Sequence, residues 1–185
     1  MIESLGFYCA NRIFYGMDDD TKERIIDDVY YCTIPHEKYS EDKFFYFFHC
    51  CLKRCISFRN IFFYRFNSNM NKKMLKYFWI CKKIFPDLKT IENNCKNIDG
   101  GLRILHNYCG ISCEKIGMFC SIGPGVIIGG KNEGKPTIGD YVTNCANSTV
   151  IGNNSLIGAG SLVTKDVTEN VIVVGCPAKI LKKRN

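Results

Sequence analysis

The chain has 185 residues, 46% of them hydrophobic, and a formal net charge of +7. This length suits one domain with a helical appendage and can bury a core without help from a metal or a disulfide. The twelve cysteines include no C-x-x-C pair, which disfavours a metal site, and reduced thiols behave as small apolar side chains. The sequence shows no secretory signal, no apolar run of bilayer length and no nucleic-acid-binding motif, so we expect a cytoplasmic protein without a nucleic-acid partner.

The first half of the chain is predicted to form three or four helices. Asp20 and Glu23 make a capping pair for the first helix, and the second begins near Ser40. The third extends from about Met70 to a stop at Pro86. The apolar residues at helical spacing are Ile25, Ile26, Val29 and Tyr30 in the first helix, Phe44, Phe48, Leu52 and Cys55 in the second, and Met74, Phe78 and Cys81 in the third.

Charge is distributed unevenly along this half. Residues 18–42 hold nine acidic and three basic residues, whereas residues 43–83 hold ten basic residues and no acidic one. Helices that carry aromatic residues beside Lys and Arg can lie on an anionic membrane, so peripheral membrane contact of 43–83 is one hypothesis. The alternative is that the acidic stretch folds back and neutralises the basic helices.

The second half of the chain contains a repeat of six residues. Ile116-Gly117, Ile122-Gly123 and Ile128-Gly129 follow one another at this interval, and the period resumes at Ile138, Ile151 and Ile157, each followed by glycine. A period of six fits neither a helix nor an alternating strand, but it is typical of a parallel β-helix in which each hexad forms one side of a triangular coil. The aliphatic residue points inward and the glycine accommodates the corner. We therefore predict a mainly-β domain over 87–185, preceded by a helical region over 1–86.

Several stretches of the chain match known motifs. They are Ser57–Arg65, Gly100–His106, Gly134–Asp140, Ile157–Val167 and Val174–Lys179. In these motifs the chain resembles the hexapeptide-repeat acyltransferases, in particular the serine acetyltransferase-like branch that includes O-acetyltransferases of surface polysaccharides. The resemblance implies a left-handed β-helix, assembly as a homotrimer, and acetyl-CoA as the acetyl donor in a groove between neighbouring subunits.

The resemblance places the catalytic base at His106. An alcohol is a poor nucleophile at neutral pH, and an imidazole can accept its proton and pass it to the thiolate leaving group. Backbone N–H groups of the coil would stabilise the oxyanion. Serine acetyltransferases orient this histidine with a carboxylate about one coil earlier, which points to Glu92, with Asp99 and Glu114 as alternatives.

The resemblance also implies positions that line the coenzyme groove. Small residues let the pantetheine arm approach the backbone, and lysines pair with its phosphates. These positions are Gly130, Lys131, Ala146, Ala159, Ser161 and Lys165.

The sequence departs from serine acetyltransferases in three ways. The loop over 132–137 lacks their second histidine, and their helical N-terminal domain is not recognisable. The repeat beyond Asn144 is about five residues short, which predicts that everything after it is rotated around the prism.

The first two departures favour, as acceptor, a hydroxyl on a sugar of a surface polysaccharide or its precursor, with L-serine as the alternative. A non-catalytic trimeric scaffold is the alternative from another class. Polar residues suited to a sugar are Asn107, Tyr108, Asn132, Asn144 and Asn147, whereas Lys131 or Lys135 could pair with a serine carboxylate.

Overall fold

A computed structural model shows two compact units, Met1–Leu88 and Lys89–Asn185. The boundary expected from the sequence, between residues 86 and 87, lies two residues earlier. The structure describes residues 1–33, 41–68, 72–87, 91–105, 108–129, 135–144 and 155–184, and of residues 41, 42, 91 and 92 it describes the backbone.

The first unit contains five α-helices among its described residues. They are α1 (Ile2–Tyr15), α2 (Asp19–Thr33), α3 (Glu41–Arg54), α4 (Ile56–Ser68) and α5 (Leu75–Ile84), with a short 3-10 turn at Lys72–Met74 before α5. Helix α1 was not predicted from the sequence. The predicted third helix corresponds to α5, and its predicted start near Met70 is about five residues too early. The buried phenylalanines of this unit are Phe14, Phe44, Phe48, Phe58, Phe62, Phe63, Phe66, Phe78 and Phe85.

The start of α2 is capped by Asp18, not by the predicted Asp20 and Glu23. The Asp18 carboxylate accepts hydrogen bonds from the backbone N–H of Thr21 at 2.9 Å and from its hydroxyl at 2.8 Å. Because α1 ends at Tyr15 and the helix resumes at Asp19, Asp18 is the residue at the N-cap position. Asp20 instead forms an ion pair with Arg24 at 3.0 Å.

The predicted second helix is two helices that meet at Cys55. Phe48 and Leu52 are buried as the pattern predicted, but α3 ends at Arg54 and α4 begins at Ile56. The Arg59 guanidinium stabilises this break, because it donates to the carbonyl of Lys53 at 2.6 Å, at the C-terminal end of α3. A cation in this position satisfies a helix carbonyl and complements the helix dipole.

A buried ion pair joins α2 to α4. The Arg65 guanidinium donates to the two carboxylate oxygens of Asp28 at 2.6 and 3.0 Å, and the side chains are 3% and 0% exposed. One basic residue of the 43–83 stretch is therefore neutralised by the acidic stretch inside the core.

The second unit is a parallel β-helix with three sheets. Its strands are β1 (Ile91–Asn93), β2 (Asn97–Ile98), β3 (Arg103–Ile104), β4 (Cys109–Ile111), β5 (Lys115–Ile116), β6 (Ser121–Ile122), β7 (Ile127–Ile128), β8 (Thr137–Ile138), β9 (Thr143–Asn144), β10 (Leu156–Ile157), β11 (Val171–Gly175) and β12 (Ala178–Lys183). The sheets have the orders β1-β4-β7, β2-β5-β8 and β3-β6-β9-β10-β11-β12. Every pairing is parallel except the closing hairpin β11–β12.

The inward positions stack as the six-residue period predicted. Ile98, Ile116 and Ile138 are strand partners in one sheet and are each no more than 1% exposed. The glycine after the aliphatic residue is required by close approach at Gly117, where a Cβ would lie 2.7 Å from the backbone carbonyl of Gly139. At Gly129 a Cβ would meet nothing within 4 Å, so the glycine is not required for space there.

The shortened repeat does not rotate the rest of the prism, and the prediction that it would was wrong. Ile104 pairs with Ile122, 18 residues later, whereas Asn144 pairs with Ile157, only 13 residues later. Strand β10 nevertheless follows β9 in the same sheet and in parallel register. The loss of five residues is therefore taken up between residues 144 and 155, and the hydrogen bond from Thr143 N to Ser155 O, 2.9 Å long, closes that coil.

Among the described residues, none of the helices is both long enough and apolar enough to cross a bilayer.

Candidate active site

In the sequence, His106 falls in the connection between β3 and β4, which belong to different sheets and so flank a corner of the prism. His106 and Asn107 lie outside the described residues, but the residues on either side are described. Leu105 is 46% exposed, and Tyr108 is 75% exposed with a φ of 66°. A left-handed backbone is uncommon for a residue with a bulky side chain and marks a sharp change of chain direction.

This corner is longer by one residue than the equivalent corner of the next coil. Ile104 pairs with Ile122, and Ile111 pairs with Ile128. Six residues lie between Ile104 and Ile111, whereas five lie between their partners Ile122 and Ile128. The ends of the corner are nevertheless anchored, since Leu105 N donates to Ile122 O at 2.8 Å. The extra residue therefore falls in the sequence between Leu105 and Gly110, since Gly110 N in turn donates to Val126 O at 3.1 Å.

Cys109, the first residue of β4, carries an anchored thiol that is poorly suited to act as a nucleophile. Cys109 Sγ donates to the carbonyl of Gly123 at 3.2 Å, and burial raises the pKa of the Cys109 thiol. Burial also raises the pKa of Cys120 to about 12. Both groups therefore stay protonated near neutrality, whereas nucleophilic cysteines act as thiolates.

The carboxylates suggested as partners of the histidine have different surroundings. Glu92 lies on β1, one coil before the corner, and its backbone pairs with Gly110 on β4; its side chain is outside the described residues. Asp99 forms an ion pair with Lys115 at 2.9 Å. Glu114 forms one with Lys96 at 3.0 Å. Asp99 and Glu114 therefore have cationic partners on the surface of the β-helix, and the role of Glu92 stays a prediction.

Three of the six residues predicted to contact the coenzyme can be located. Gly130, Lys131 and Ala146 lie outside the described residues. Ala159 and Lys165 are exposed, as a groove contact requires. Ser161 is 1% exposed, and its hydroxyl accepts a hydrogen bond from Gly175 N at 3.1 Å, so it also holds the closing hairpin in place.

The two described residues that were proposed to contact a sugar differ in solvent exposure. Tyr108 is exposed beside the corner, whereas Asn144 is 1% exposed and stacks between Ile122 and Ile157 inside the prism. Asn144 therefore cannot contact an acceptor, and its inclusion in the predicted set was wrong. Asn107, Asn132 and Asn147 lie outside the described residues.

One residue near the corner was missed from the sequence. Arg103 precedes Ile104 on β3, is half-buried, and donates from Nη2 to Ser121 Oγ at 3.3 Å. A single arginine inside a repeat has no periodic signal, and only the pairing of β3 with β6 shows what it contacts. No group of three metal-binding side chains occurs in the part of the chain that the structure describes.

No protein-family model matches the chain. A curated serine acetyltransferase of Synechococcus elongatus is 40% identical over 75 residues, which is 36% of this chain and 31% of the relative. A galactoside O-acetyltransferase of Escherichia coli is 51% identical over 35 residues, 19% of this chain and 17% of the relative. The matched segments thus span less than a third of these relatives, and they confirm the resemblance to hexapeptide-repeat acetyltransferases.

Solved structures agree over nearly the whole chain. The serine acetyltransferase of Neisseria gonorrhoeae, solved in complex with serine, has a TM-score of 0.63 at 23% identity, covering 97% of this chain and 82% of that protein. Another solved serine acetyltransferase, a complex with CoA, has a TM-score of 0.57 at 20% identity, covering 96% of this chain and 83% of that one. These likenesses confirm the predicted fold class, a parallel β-helix preceded by an α-helical region. They also extend to the helical unit, which the sequence analysis did not recognise as similar.

Proposed function

We propose that this protein transfers an acetyl group from acetyl-CoA to a hydroxyl group of a small molecule. The observation that carries the proposal is the sequence similarity to serine and galactoside acetyltransferases. The fold of the entire chain agrees with it, and one of the structures with that fold is a complex with CoA. The donor groove would include Ala159 and Lys165, the exposed members of the predicted set.

In the proposed reaction His106 accepts the proton of the acceptor hydroxyl. The oxygen then attacks the thioester carbonyl carbon, and backbone N–H groups stabilise the resulting oxyanion. When the C–S bond breaks, His106 returns the proton to the thiolate of CoA, so one base serves both halves of the reaction. The corner with one additional residue supports this assignment, because it singles out the coil at position 106. Glu92 remains the proposed orienting carboxylate.

L-Serine is the first acceptor to test. The serine acetyltransferase of Synechococcus elongatus matches over 75 residues, whereas the galactoside enzyme of Escherichia coli matches over 35. The helical unit, whose apparent absence favoured a sugar, aligns with solved serine acetyltransferases. These findings favour L-serine over the sugar preferred from the sequence. A sugar hydroxyl is the second candidate, supported by the galactoside enzyme and by a predicted loop that lacks a histidine.

We further propose a homotrimer in the cytoplasm, with each coenzyme groove shared by two subunits. Closed threefold symmetry completes every groove without leaving a free contact surface. Light scattering should give about three times the chain mass of 21.1 kDa. An active monomer would exclude the shared groove.

The test is release of free CoA from acetyl-CoA, measured with a thiol reagent on the desalted protein. The acceptors are L-serine and a panel of galactosides and nucleotide sugars. We expect kcat/KM for L-serine to exceed that of the best sugar by about tenfold, equivalent to ~1.4 kcal/mol in the transition state. A sugar that exceeds L-serine would reverse the order of acceptors. Acetyl-CoA binding without turnover of any acceptor would favour the scaffold instead.

A further inference from the structure

Helices α1 and α5 pack against each other in opposite directions. A Cβ at Gly6, near the start of α1, would lie 2.6 Å from the Phe85 ring at the end of α5. A Cβ at Gly16, after the end of α1, would lie 2.7 Å from Met74, just before α5. The two helices therefore run antiparallel along their whole lengths, and their outer surfaces adjoin.

Rings and cations connect these outer surfaces. The rings of Tyr8 and Tyr77 meet edge to face at 6.1 Å. The Arg12 guanidinium lies 5.7 Å and the Lys76 ammonium 4.9 Å from the centroid of the Tyr77 ring. The exposed sides of α1 and α5, with the turn before α5, thus form one continuous surface, which we call the α1/α5 face.

The α1/α5 face combines exposed apolar side chains with cations. Its exposed apolar members are Leu5 (48%), Tyr8 (54%), Tyr15 (54%), Trp79 (65%) and Ile80 (38%). Its exposed basic members are Arg12, Lys72, Lys73, Lys76 and Lys83. Large apolar side chains that are exposed together mark a contact surface more often than single ones do.

The described carboxylates beside this face are already engaged. Asp18 caps α2 through Thr21, so its charge is directed to a helix N-terminus. The others form ion pairs: Glu3 with Lys53 at 2.7 Å, Asp19 with Lys22 at 2.9 Å, Asp20 with Arg24 at 3.0 Å and Asp87 with Lys82 at 2.9 Å. The α1/α5 face therefore has a net positive charge.

We propose that the α1/α5 face docks on the surface of an anionic phospholipid bilayer. Lysines and arginine would contact the lipid phosphates and carboxylates, while Trp79, Ile80 and Leu5 would enter the boundary between headgroups and acyl chains. A second copy of the chain fits less well, because facing copies would bring ten cations together. The inference is independent of acetyl transfer and uses the first unit alone.

The structure narrows the membrane hypothesis that the sequence suggested. Most of the aromatic residues of the 43–83 stretch are in the core, and Arg65 is buried against Asp28. The part of that stretch that adjoins α1 and exposes both cations and apolar side chains is α5 with the turn before it. The partner surface comes from α1, which lies outside the basic stretch altogether.

The single tryptophan of the chain lies on this face, so its fluorescence tests the proposal without a label. The unmodified full chain is mixed with vesicles of phosphatidylcholine and phosphatidylserine in equal parts. We expect a blue shift of Trp79 emission, protection from iodide, and quenching by lipids brominated near the headgroup. The shift should disappear at about 0.5 M salt, where the Debye length is only a few ångströms. Pure phosphatidylcholine vesicles should give no shift.

Pairs of variants test whether vesicle binding depends on the α1/α5 face. Lys76→Glu should weaken vesicle binding at least about fivefold, whereas Lys43→Glu, an identical change at an exposed position of α3, should weaken it less than about twofold. Ile80→Ser should weaken binding and Ile180→Ser, in the second unit, should not. Four outcomes would overturn the proposal: no shift, an equal shift with neutral vesicles, a shift that depends on protein concentration without vesicles, or equal losses in the variants and their controls.

Discussion

The helical unit and the β-helix fill their cores with different side chains. Nine phenylalanines are buried in the helical unit, whereas the buried hydrophobic residues described in the β-helix are Ile, Val, Leu and Cys. Successive coils lie under 5 Å apart, as neighbouring strands do, so each inward side chain sits directly on its counterpart and a compact residue fits best. Helices pack at roughly 8–10 Å and need large side chains to fill the space between them.

The two cores also differ in how far a change is expected to spread. In the β-helix each inward residue contacts mainly the coils before and after it, so a defect stays local. In the helical unit Phe48 contacts the rings of Phe14, Phe44, Phe58 and Phe62, which belong to three different helices. Stability in that unit therefore depends on contacts between residues distant in sequence.

The largest expected effect is the loss of activity when the proposed base in the β-helix is replaced, compared with the same change in the helical unit. His106→Asn should lower kcat by roughly 10²–10⁴-fold, the usual contribution of a general base, and should leave the melting temperature nearly unchanged, because the proposed base faces an open groove and not the core. Steady-state CoA release and thermal melting measure the two quantities. The control is His49→Asn in α3, whose ring contacts Asn11 at 2.8 Å within the helical unit. A variant at 106 that keeps a tenth of the activity would remove the histidine from the mechanism.

The second prediction concerns the buried ion pair between α2 and α4. Arg65→Met should cost about 3–5 kcal/mol in the free energy of unfolding, because it leaves Asp28 buried without its cation. The double variant Asp28→Leu/Arg65→Met should recover most of that loss, since it removes both charges. Urea unfolding, followed by the Trp79 fluorescence of the same unit, measures both. If the double variant is no more stable than Arg65→Met alone, the pair is not the source of the loss.

The third prediction tests the stack inside the β-helix. Asn144 is buried, and neither its amide nitrogen nor its oxygen has a hydrogen-bond partner among the residues that the structure describes. Asn144→Val should stabilise the protein by about 1–3 kcal/mol, the cost of burying an unsatisfied polar group. Thermal melting should rise by roughly 2–4 °C for each kcal/mol gained. Asn97→Val on β2, where the residue is exposed, serves as the control and should change stability by no more than about 0.5 kcal/mol. A lower melting temperature for Asn144→Val would mean that the amide has a partner.

The smallest expected effect is the reactivity of one thiol in the helical unit. A hydrogen bond from the Cys32 thiol, aided by the first backbone N–H groups of α4, lowers the pKa of Cys55 to about 6, although burial opposes this. The ordinary thiol pKa is about 8.5. The Cys55 thiolate therefore stabilises the folded state above about pH 8.5, and this contribution to the free energy of unfolding is lost as the pH falls through about 6. Alkylation of Cys55 should rise with pH around 6, and Cys32→Ala should move this rise to higher pH. Peptide-resolved mass spectrometry measures the rates, with Cys50→Ala as the control; an unchanged profile in Cys32→Ala would exclude the hydrogen bond.

Sequence and structure agree most closely where the signal is periodic. The Ile-Gly repeats predicted the parallel coils, and Ile98, Ile116, Ile122 and Ile138 are buried where the period places them. Helix α1 escaped prediction because Met1, at its N-cap position, makes no side-chain capping hydrogen bond, so the usual sequence signal for a helix start is missing. The run from Asp18 to Asp20 offered three capping carboxylates, and only the course of the chain after α1 selects Asp18.

The candidate site was predictable in part. The roles of His106, Ala159 and Lys165 stay predictions, whereas Asn144 proved to be inside the prism. A polar residue at an aliphatic position looks like a surface ligand in the sequence, because the period alone does not say whether a shortened coil stays in phase.

The sequence by itself determined the repeating coil and the buried aliphatic columns, because these depend on short-range periodicity. Only the tertiary structure decided that β10 follows β9 despite the missing five residues. It also decided that Arg65 is buried against Asp28 while Trp79 remains exposed. These outcomes depend on which distant segments pack together, and the free energy of that packing is not contained in any local pattern.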